Sequence, residues 1–145
     1  MGRLITMKTL LTIQEVLSRL AWHLDNPKAM SIAFPQGHTL QDHSRIQRIG
    51  ICAGSGGSLL NGLQNVDVLI TGELSHHEAL AATERGVVVV CLGHSNSERG
   101  YLHRVMQPKL LEALRGDSSI DVQESEVFVS EKDRDPFLTW IRSTD

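Results

Sequence analysis

A histidine and a glutamate four positions apart are the residues whose types and spacing best fit metal chemistry. His94 and Glu98 lie in residues 93–100, a polar segment that follows an apolar run. If a helix begins near His94, both side chains leave it on one face. An imidazole and a carboxylate on one face suit a divalent cation such as zinc, manganese or iron. A two-residue pattern is not specific, however, and it also fits a polar helix start capped by Ser95 or Asn96.

Two histidines and two carboxylates lie within residues 71–78, directly after another apolar run. Adjacent helical positions point in different directions, so His76 and His77 are not expected to chelate one ion together. We interpret His77 as a candidate proton carrier, or as a group that supports the metal ligands from behind. The segment also fits a capped helix whose histidines face water.

A glycine-rich loop, residues 54–58, is the third segment with a chemical interpretation. Such a loop can cradle an anion at the start of a helix. It lacks the lysine of a P-loop, and Leu59 stands where the dinucleotide fingerprint has its third glycine. A tight turn that needs positive φ explains the glycines equally well. Cys91 and His94 could form a nucleophilic pair, but no third residue orients them, and both Cys91 and Cys52 are expected to be buried thiols.

Alternation of apolar runs with helical stretches predicts the elements that must position these residues. The apolar runs are residues 49–53, 66–71 and 87–92. Runs of this length between helices are typical of βα units, and we therefore predict an α/β fold with a parallel sheet. In such sheets, function gathers beyond the carboxyl ends of the strands, where all three segments fall. Helices are predicted over residues 13–25, 58–63, 75–85 and 97–114.

The remaining regions are less regular. Residues 27–46 are interpreted as a loop or insertion, in which residues 29–34 could form a short strand. Two further short strands are predicted at residues 120–122 and 127–129. Together the elements are expected to form a single domain over residues 1–145, because this length supports one sizeable core rather than two.

Composition excludes several functional classes. The net charge of −3 does not fit a nucleic-acid binder, and no apolar run is long enough for a membrane span. Two cysteines favour a reduced protein over a disulfide scaffold. We expect a cytoplasmic protein, with the nucleus and the mitochondrion as alternatives.

Three sequence blocks in register resemble the NIF-three-like family, whose members are often named GTP cyclohydrolase 1 type 2 homologues, and a closing block resembles the eukaryotic branch of that family. The blocks are residues 51–58, 71–77, 93–100 and 130–136. The resemblance implies two similar α/β halves around a dinuclear metal site, commonly assembled as toroidal hexamers. Residues 2–4 resemble the junction where the second half begins. The chain therefore resembles the C-terminal half of the duplicated fold.

The resemblance also implies roles for individual residues. His94 and Glu98 match the two metal ligands that the second half supplies, and His77 matches a histidine close to that site. Glu73 and the loop at residues 54–58 match blocks that line the same cleft, without a definite role. The family's other ligands, a His-His pair and an aspartate, belong to the first half and are absent here. Two ligands are few, since catalytic zinc sites typically have three from protein.

Two functional hypotheses follow from the residues and the resemblance. In the first, the chain is part of a metal-dependent hydrolase that acts on a small phosphate-containing substrate; the cyclohydrolase name is not taken as its activity. In the second, it is a non-catalytic interaction or assembly module, linked to transcription through a protein partner. Both hypotheses expect a homo-oligomer. An incomplete product without independent function is the third alternative.

Overall fold

Strands and helices alternate along most of the chain. The computed structural model describes residues 2–24, 29–42, 45–119, 126–132, 134–137 and 140. Its elements, in order, are β1 (Arg3–Leu11), α1 (Ile13–His23), β2 (Ser31–Ala33), β3 (Ile46–Ser55), α2 (Gly57–Leu60), β4 (Val68–Glu73), α3 (His76–Glu84), β5 (Val88–Cys91), α4 (His94–Tyr101), a π-helical turn (Leu102–Met106) and α5 (Gln107–Gly116).

The five strands form one sheet in the order β1-β3-β4-β5-β2. The central strands β3, β4 and β5 are parallel, while β1 and β2 lie antiparallel along the two edges. The predicted α/β class is therefore confirmed, and the sheet is mixed rather than wholly parallel. In the register, Thr71 pairs with Cys52 on one side and with Cys91 on the other. The three parallel strands consequently end side by side.

The core lies on both faces of the central strand β4. Val68 and Ile70 pack into an apolar cluster that includes α1, whereas Leu69 packs into a second cluster that includes α2 and α3. Alternate side chains of a strand point to opposite faces, so one apolar run serves both clusters. Because side chains on both faces of β4 are buried, the carboxyl end of this strand has a defined place in the sheet.

Helix α1 begins where the sequence predicts it. The side chain of Thr12 accepts a hydrogen bond from the backbone of Glu15, whose carboxylate accepts one from Thr12 in return. The hydrogen bond from the Thr12 backbone is the main reason why the pKa of Glu15 is lowered. Ser75 and Glu78 form the same capping box at α3. Both helices are therefore encoded locally.

Two predictions about elements were wrong, and a third falls on residues that the structure does not describe. The fourth helix was expected from residue 97 with Ser95 or Asn96 as its cap, but α4 begins at His94. Gly93 is its N-cap at a φ of 88°, a conformation that turns the chain from β5 directly into the helix. Residues 127–129 form no strand. The strand predicted at residues 120–122 lies outside the described residues.

The edges of the sheet come from regions that the sequence did not clearly assign. The strand β1 was not predicted at all, whereas β2 lies within residues 29–34, where the sequence analysis allowed a short strand inside the loop or insertion at residues 27–46. Helix α2 is a single turn, shorter than predicted. Within the described parts of the chain, no helix is long and apolar enough to span a membrane.

Candidate metal centre

The three segments singled out in the sequence meet at the carboxyl edge of the sheet. Leu92 and Gly93, after β5, donate backbone hydrogen bonds to Thr71 and Gly72 of β4 at 3.0 and 2.9 Å. The end of β3 lies on the other side of β4. Helix α4 begins directly after Gly93 at this edge and lies against β3 and β4.

His94 and Glu98 lie on one face of α4, as their spacing predicts. His94 Nε2 and Glu98 Oε2 are 3.7 Å apart, and both side chains are about half exposed. This distance is too long for a good hydrogen bond. The two atoms therefore face the same space, and no good hydrogen bond joins them across it.

The other ring nitrogen of His94 is held by Glu73, the last residue of β4. Nδ1 lies 2.9 Å from Glu73 Oε1. A carboxylate only accepts hydrogen bonds, so Nδ1 carries the hydrogen and the neutral ring keeps a free lone pair on Nε2. This hydrogen bond is the main reason why the pKa of His94 is raised; the charges of Glu98 and Asp135 act in the same direction, and desolvation opposes them.

Gly54 keeps the space beside the two donor atoms open. This buried residue, near the end of β3, has a φ of 67°. A Cβ at Gly54 would lie 2.5 Å from Glu98 Oε1 and 3.1 Å from His94 Nε2. Any side chain here would therefore collide with the carboxylate and crowd the imidazole. The glycine provides an unfilled cradle at the point that both donors face.

His77 makes its ring contact with a neighbour on α3 rather than with the residues of this cradle. It is exposed in the first turn of α3, and its ring meets His76 edge-on with the ring centroids 5.6 Å apart. The residue that holds the second ring nitrogen of His94 is Glu73, to which the sequence analysis assigned no definite role. The signal that could have identified Glu73 is its place at the end of a buried strand next to β5. The proton-carrier role of His77 stays a prediction.

The glycine-rich loop does not have the surroundings of an anion site. The helix that follows it has only four residues, and its N-cap Gly56 makes no side-chain cap. A Cβ at Gly57 would meet the carboxylate of Glu78. A fixed negative charge beside the loop disfavours an anion there. Cys91 is also not activated, because burial raises the pKa of its thiol.

A cleft of about 520 Å³ opens from the candidate centre. Glu73 and His94 line it together with Asp135. Hydrogen bonds from Arg99 to the Ser130 carbonyl oxygen and from Gln107 to that of Val127, both 2.8 Å long, hold the later segment against the helices. Among the described residues, no group of three or more His, Cys, Asp or Glu converges as a complete metal site. The centre is therefore a pair of donors with room beside it.

Comparison with known proteins shows the family to which the chain belongs. The chain matches the family model Duf34/NIF3 (NGG1p interacting factor 3) over residues 1–136. It is 43% identical to NIF3-like protein 1 of Drosophila melanogaster over 95% of this chain and 42% of that protein. It is 32% identical to NGG1-interacting factor 3 of Saccharomyces cerevisiae over 93% of this chain and 43% of that protein. The chain thus spans less than half the length of these relatives.

Solved structures agree in fold. A Bacillus cereus protein related to NIF3 superposes with a TM-score of 0.70 at 20% identity, over 96% of this chain and 36% of that one. Reduced HcgD from Methanocaldococcus jannaschii gives a TM-score of 0.55 at 21% identity, over 83% of this chain and 44% of that one. At these identities the likeness establishes the fold alone, whereas the match over residues 1–136 establishes the family. The chain belongs to the Duf34/NIF3 family.

Proposed function

We propose that this chain supplies half of a divalent-metal site in a metal-dependent hydrolase. The observation that carries the proposal is the cradle at Gly54, where a missing side chain leaves space beside His94 Nε2 and Glu98. His94 and Glu98 would hold the ion, and Glu73 would orient the imidazole. Zinc, manganese and iron all accept this mixed nitrogen and oxygen donor set.

The distances fit a shared ion. Zinc binds imidazole nitrogen and carboxylate oxygen at about 2.0–2.2 Å, so one ion can bridge two donors up to about 4 Å apart. The observed separation of 3.7 Å between His94 Nε2 and Glu98 Oε2 falls inside this limit. A hydrogen bond from the second ring nitrogen of a ligating histidine to a carboxylate is a common support for bound metal. Glu73 provides such a bond at 2.9 Å.

The proposed site needs ligands from beyond the described residues. Catalytic zinc sites typically have three protein ligands, and this chain offers two at the cradle. Because the chain spans less than half of its relatives, we propose that it corresponds to the second half of the duplicated fold. The first half of a longer protein, or a second chain, would then supply the other ligands of a dinuclear site.

The chemistry of such a site is hydrolysis. A bound divalent ion lowers the pKa of water and supplies hydroxide near neutral pH. The contribution of this chain would be to hold the ion through His94 and Glu98 and to border the cleft in which a substrate lies. A small phosphate-containing molecule stays our proposal for that substrate. The glycine-rich loop is not proposed to bind its phosphate, because the carboxylate of Glu78 lies beside that loop.

Metal content tests the proposal directly. The purified chain is dialysed against zinc or manganese, and the bound metal is measured by mass spectrometry. With a second copy of the chain supplying the remaining ligands, we expect the wild type to retain metal at a fixed ratio to protein. Both His94→Ala and Glu98→Gln should bind it at least about tenfold more weakly, because each removes one donor. His103→Ala and Glu112→Gln are matched controls, since both residues are exposed and lie beyond the first turns of the same helical region.

Either of two results would sink the metal proposal. One is a wild-type chain that retains no metal after reconstitution. The other is equal loss of metal in His94→Ala and His103→Ala, which would indicate nonspecific binding to surface histidines. Circular dichroism of each variant shows whether a loss of metal merely reflects a loss of fold.

An interaction or assembly module is the second candidate function. The observation that favours it is the helical region from α4 through α5, which contains no buried residue. Tyr101, Met106 and Leu110 are exposed along it. Large apolar side chains left in water are common where another protein binds. The yeast relative is itself named as an interacting factor. The partner could be a second copy of the chain, as a homo-oligomer requires.

Light scattering separates this candidate from the first. If assembly is the function, the chain self-associates to the same extent with and without a chelator, and His94→Ala leaves the mass unchanged. If metal completes the site between subunits, both the chelator and His94→Ala reduce the mass. A monomer under every condition contradicts self-assembly.

The free thiols Cys52 and Cys91 agree with a reducing compartment, and the cytoplasm remains our proposed location.

A further inference from the structure

The backbone of Gly54 is held on both sides by hydroxyl groups from other elements. Its N–H donates to Ser97 Oγ at 2.8 Å, and its carbonyl oxygen accepts from Thr71 Oγ1 at 3.0 Å. The Ser97 hydroxyl in turn donates to the carbonyl oxygen of His94 at 2.7 Å. Two hydrogen bonds at Gly54 therefore connect β3 with β4 and with the first turn of α4, and the third lies within that turn.

Close packing restricts the groups that form these hydrogen bonds. Thr71 is 1% exposed, so its hydroxyl is shielded from water and depends on the Gly54 carbonyl as acceptor. A Cβ at Gly72 would lie 2.6 Å from the Gly54 carbonyl oxygen and 2.7 Å from Ser97 Oγ. Gly72 thus allows β4 to approach closely enough for both hydroxyl groups to reach Gly54.

We infer that Thr71 and Ser97 are positioning residues that keep Gly54 beside the metal donors without filling the space between them. The inference deepens the proposed metal site and rests on it. Neither hydroxyl needs to touch the ion. The two hydroxyl groups act through Gly54, whose lack of a side chain leaves room for the ion. They also act through the carbonyl group of His94, the first residue of α4.

The alternative is that both hydroxyl groups only stabilise the fold. A stabilising role predicts lower resistance to urea in variants, with unchanged metal affinity in the folded protein. A positioning role predicts weaker metal binding even where the protein is fully folded. Groups that orient metal ligands typically change affinity by about 10–100-fold when they are removed. We expect the lower end of this range, because each hydroxyl acts through the backbone of Gly54.

The experiment titrates zinc chloride into the purified chain by calorimetry and follows hydrogen exchange of the Gly54 amide by NMR. Thr71→Val keeps the shape but removes the hydroxyl, whereas Thr71→Ser keeps the hydroxyl. Ser97→Ala removes the second hydroxyl, and Ser58→Ala is an exposed control on α2. We expect about tenfold weaker zinc binding and faster Gly54 exchange in Thr71→Val and Ser97→Ala. Thr71→Ser and Ser58→Ala should bind zinc like the wild type.

The outcomes separate this inference from the proposed function. If the wild type binds no zinc, the metal proposal fails and the inference fails with it. If the wild type binds zinc, His94→Ala does not, and Ser97→Ala and Thr71→Val bind normally, only the inference is overturned. Should the buried Thr71→Val variant not fold, Ser97→Ala decides the question, because Ser97 is only partly buried.

Discussion

Gly54→Ala is expected to remove zinc binding and to lower the free energy of unfolding by at least about 1–2 kcal/mol. The stability loss follows because Gly54 has a φ of 67°, and residues with a side chain adopt this left-handed region at a cost of about 1–2 kcal/mol. The binding loss follows because the new Cβ would stand 2.5 Å from Glu98 Oε1. Glu98 must then leave the position in which it faces His94 Nε2.

Calorimetric zinc titration and urea unfolding measure the two effects separately. Gly62→Ala is the matched control, since Gly62 is exposed, follows the same loop region and has nothing within 4 Å of an added Cβ. We expect this control to bind zinc normally. Wild-type zinc affinity in a folded Gly54→Ala protein would show that the cradle does not form part of a metal site.

Leu69→Ala is expected to cause the largest loss of stability, about 2–5 kcal/mol. Leu69 is 0% exposed and is the second residue of the central strand β4. Its Cδ2 lies only 2.9 Å from where a Cβ on Gly50 would be, so the side chain packs closely against β3. Truncation therefore leaves a cavity between backbone segments that are held by strand pairing and relax little.

Urea unfolding of Leu69→Ala and of Leu80→Ala checks this expectation. Leu80 is about half exposed on α3, and its truncation should change the free energy of unfolding by no more than about 0.5 kcal/mol. A loss below about 1 kcal/mol in Leu69→Ala would contradict a tightly packed β4. The result bears on the site as well, because β4 carries Thr71, Gly72 and Glu73 to the carboxyl edge.

Leu69→Ala and Gly54→Ala change different parts of the structure that positions the site. Leu69 holds β4 in the sheet from the core, while Gly54 acts at the edge, within contact distance of the donors. A protein that loses stability through Leu69→Ala but remains folded should still bind zinc. A protein with Gly54→Ala should fail to bind it even when folded. The comparison tests whether the metal site depends on local shape rather than on overall stability.

Local sequence determined the elements that carry the site. Capping boxes at Thr12 and Ser75 define the starts of α1 and α3 through residues three positions apart. The four-residue spacing of His94 and Glu98 places both side chains on one helical face, because a helix repeats every 3.6 residues. Blocks of residues in register also indicated the family, which the match over residues 1–136 confirms.

Tertiary structure alone decided how the site is completed. Glu73 and His94 are 21 positions apart, and Gly54 and Ser97 are 43 apart, so no local pattern connects them. Their contacts depend on the register of three parallel strands. The same reason explains why β1 was not predicted: its residues are mostly exposed, and its strand conformation depends on antiparallel pairing with β3. The sequence by itself determined which residues could bind a metal, whereas the packing of β3, β4 and α4 decided that a glycine would leave room for one, because that space exists only where distant segments meet.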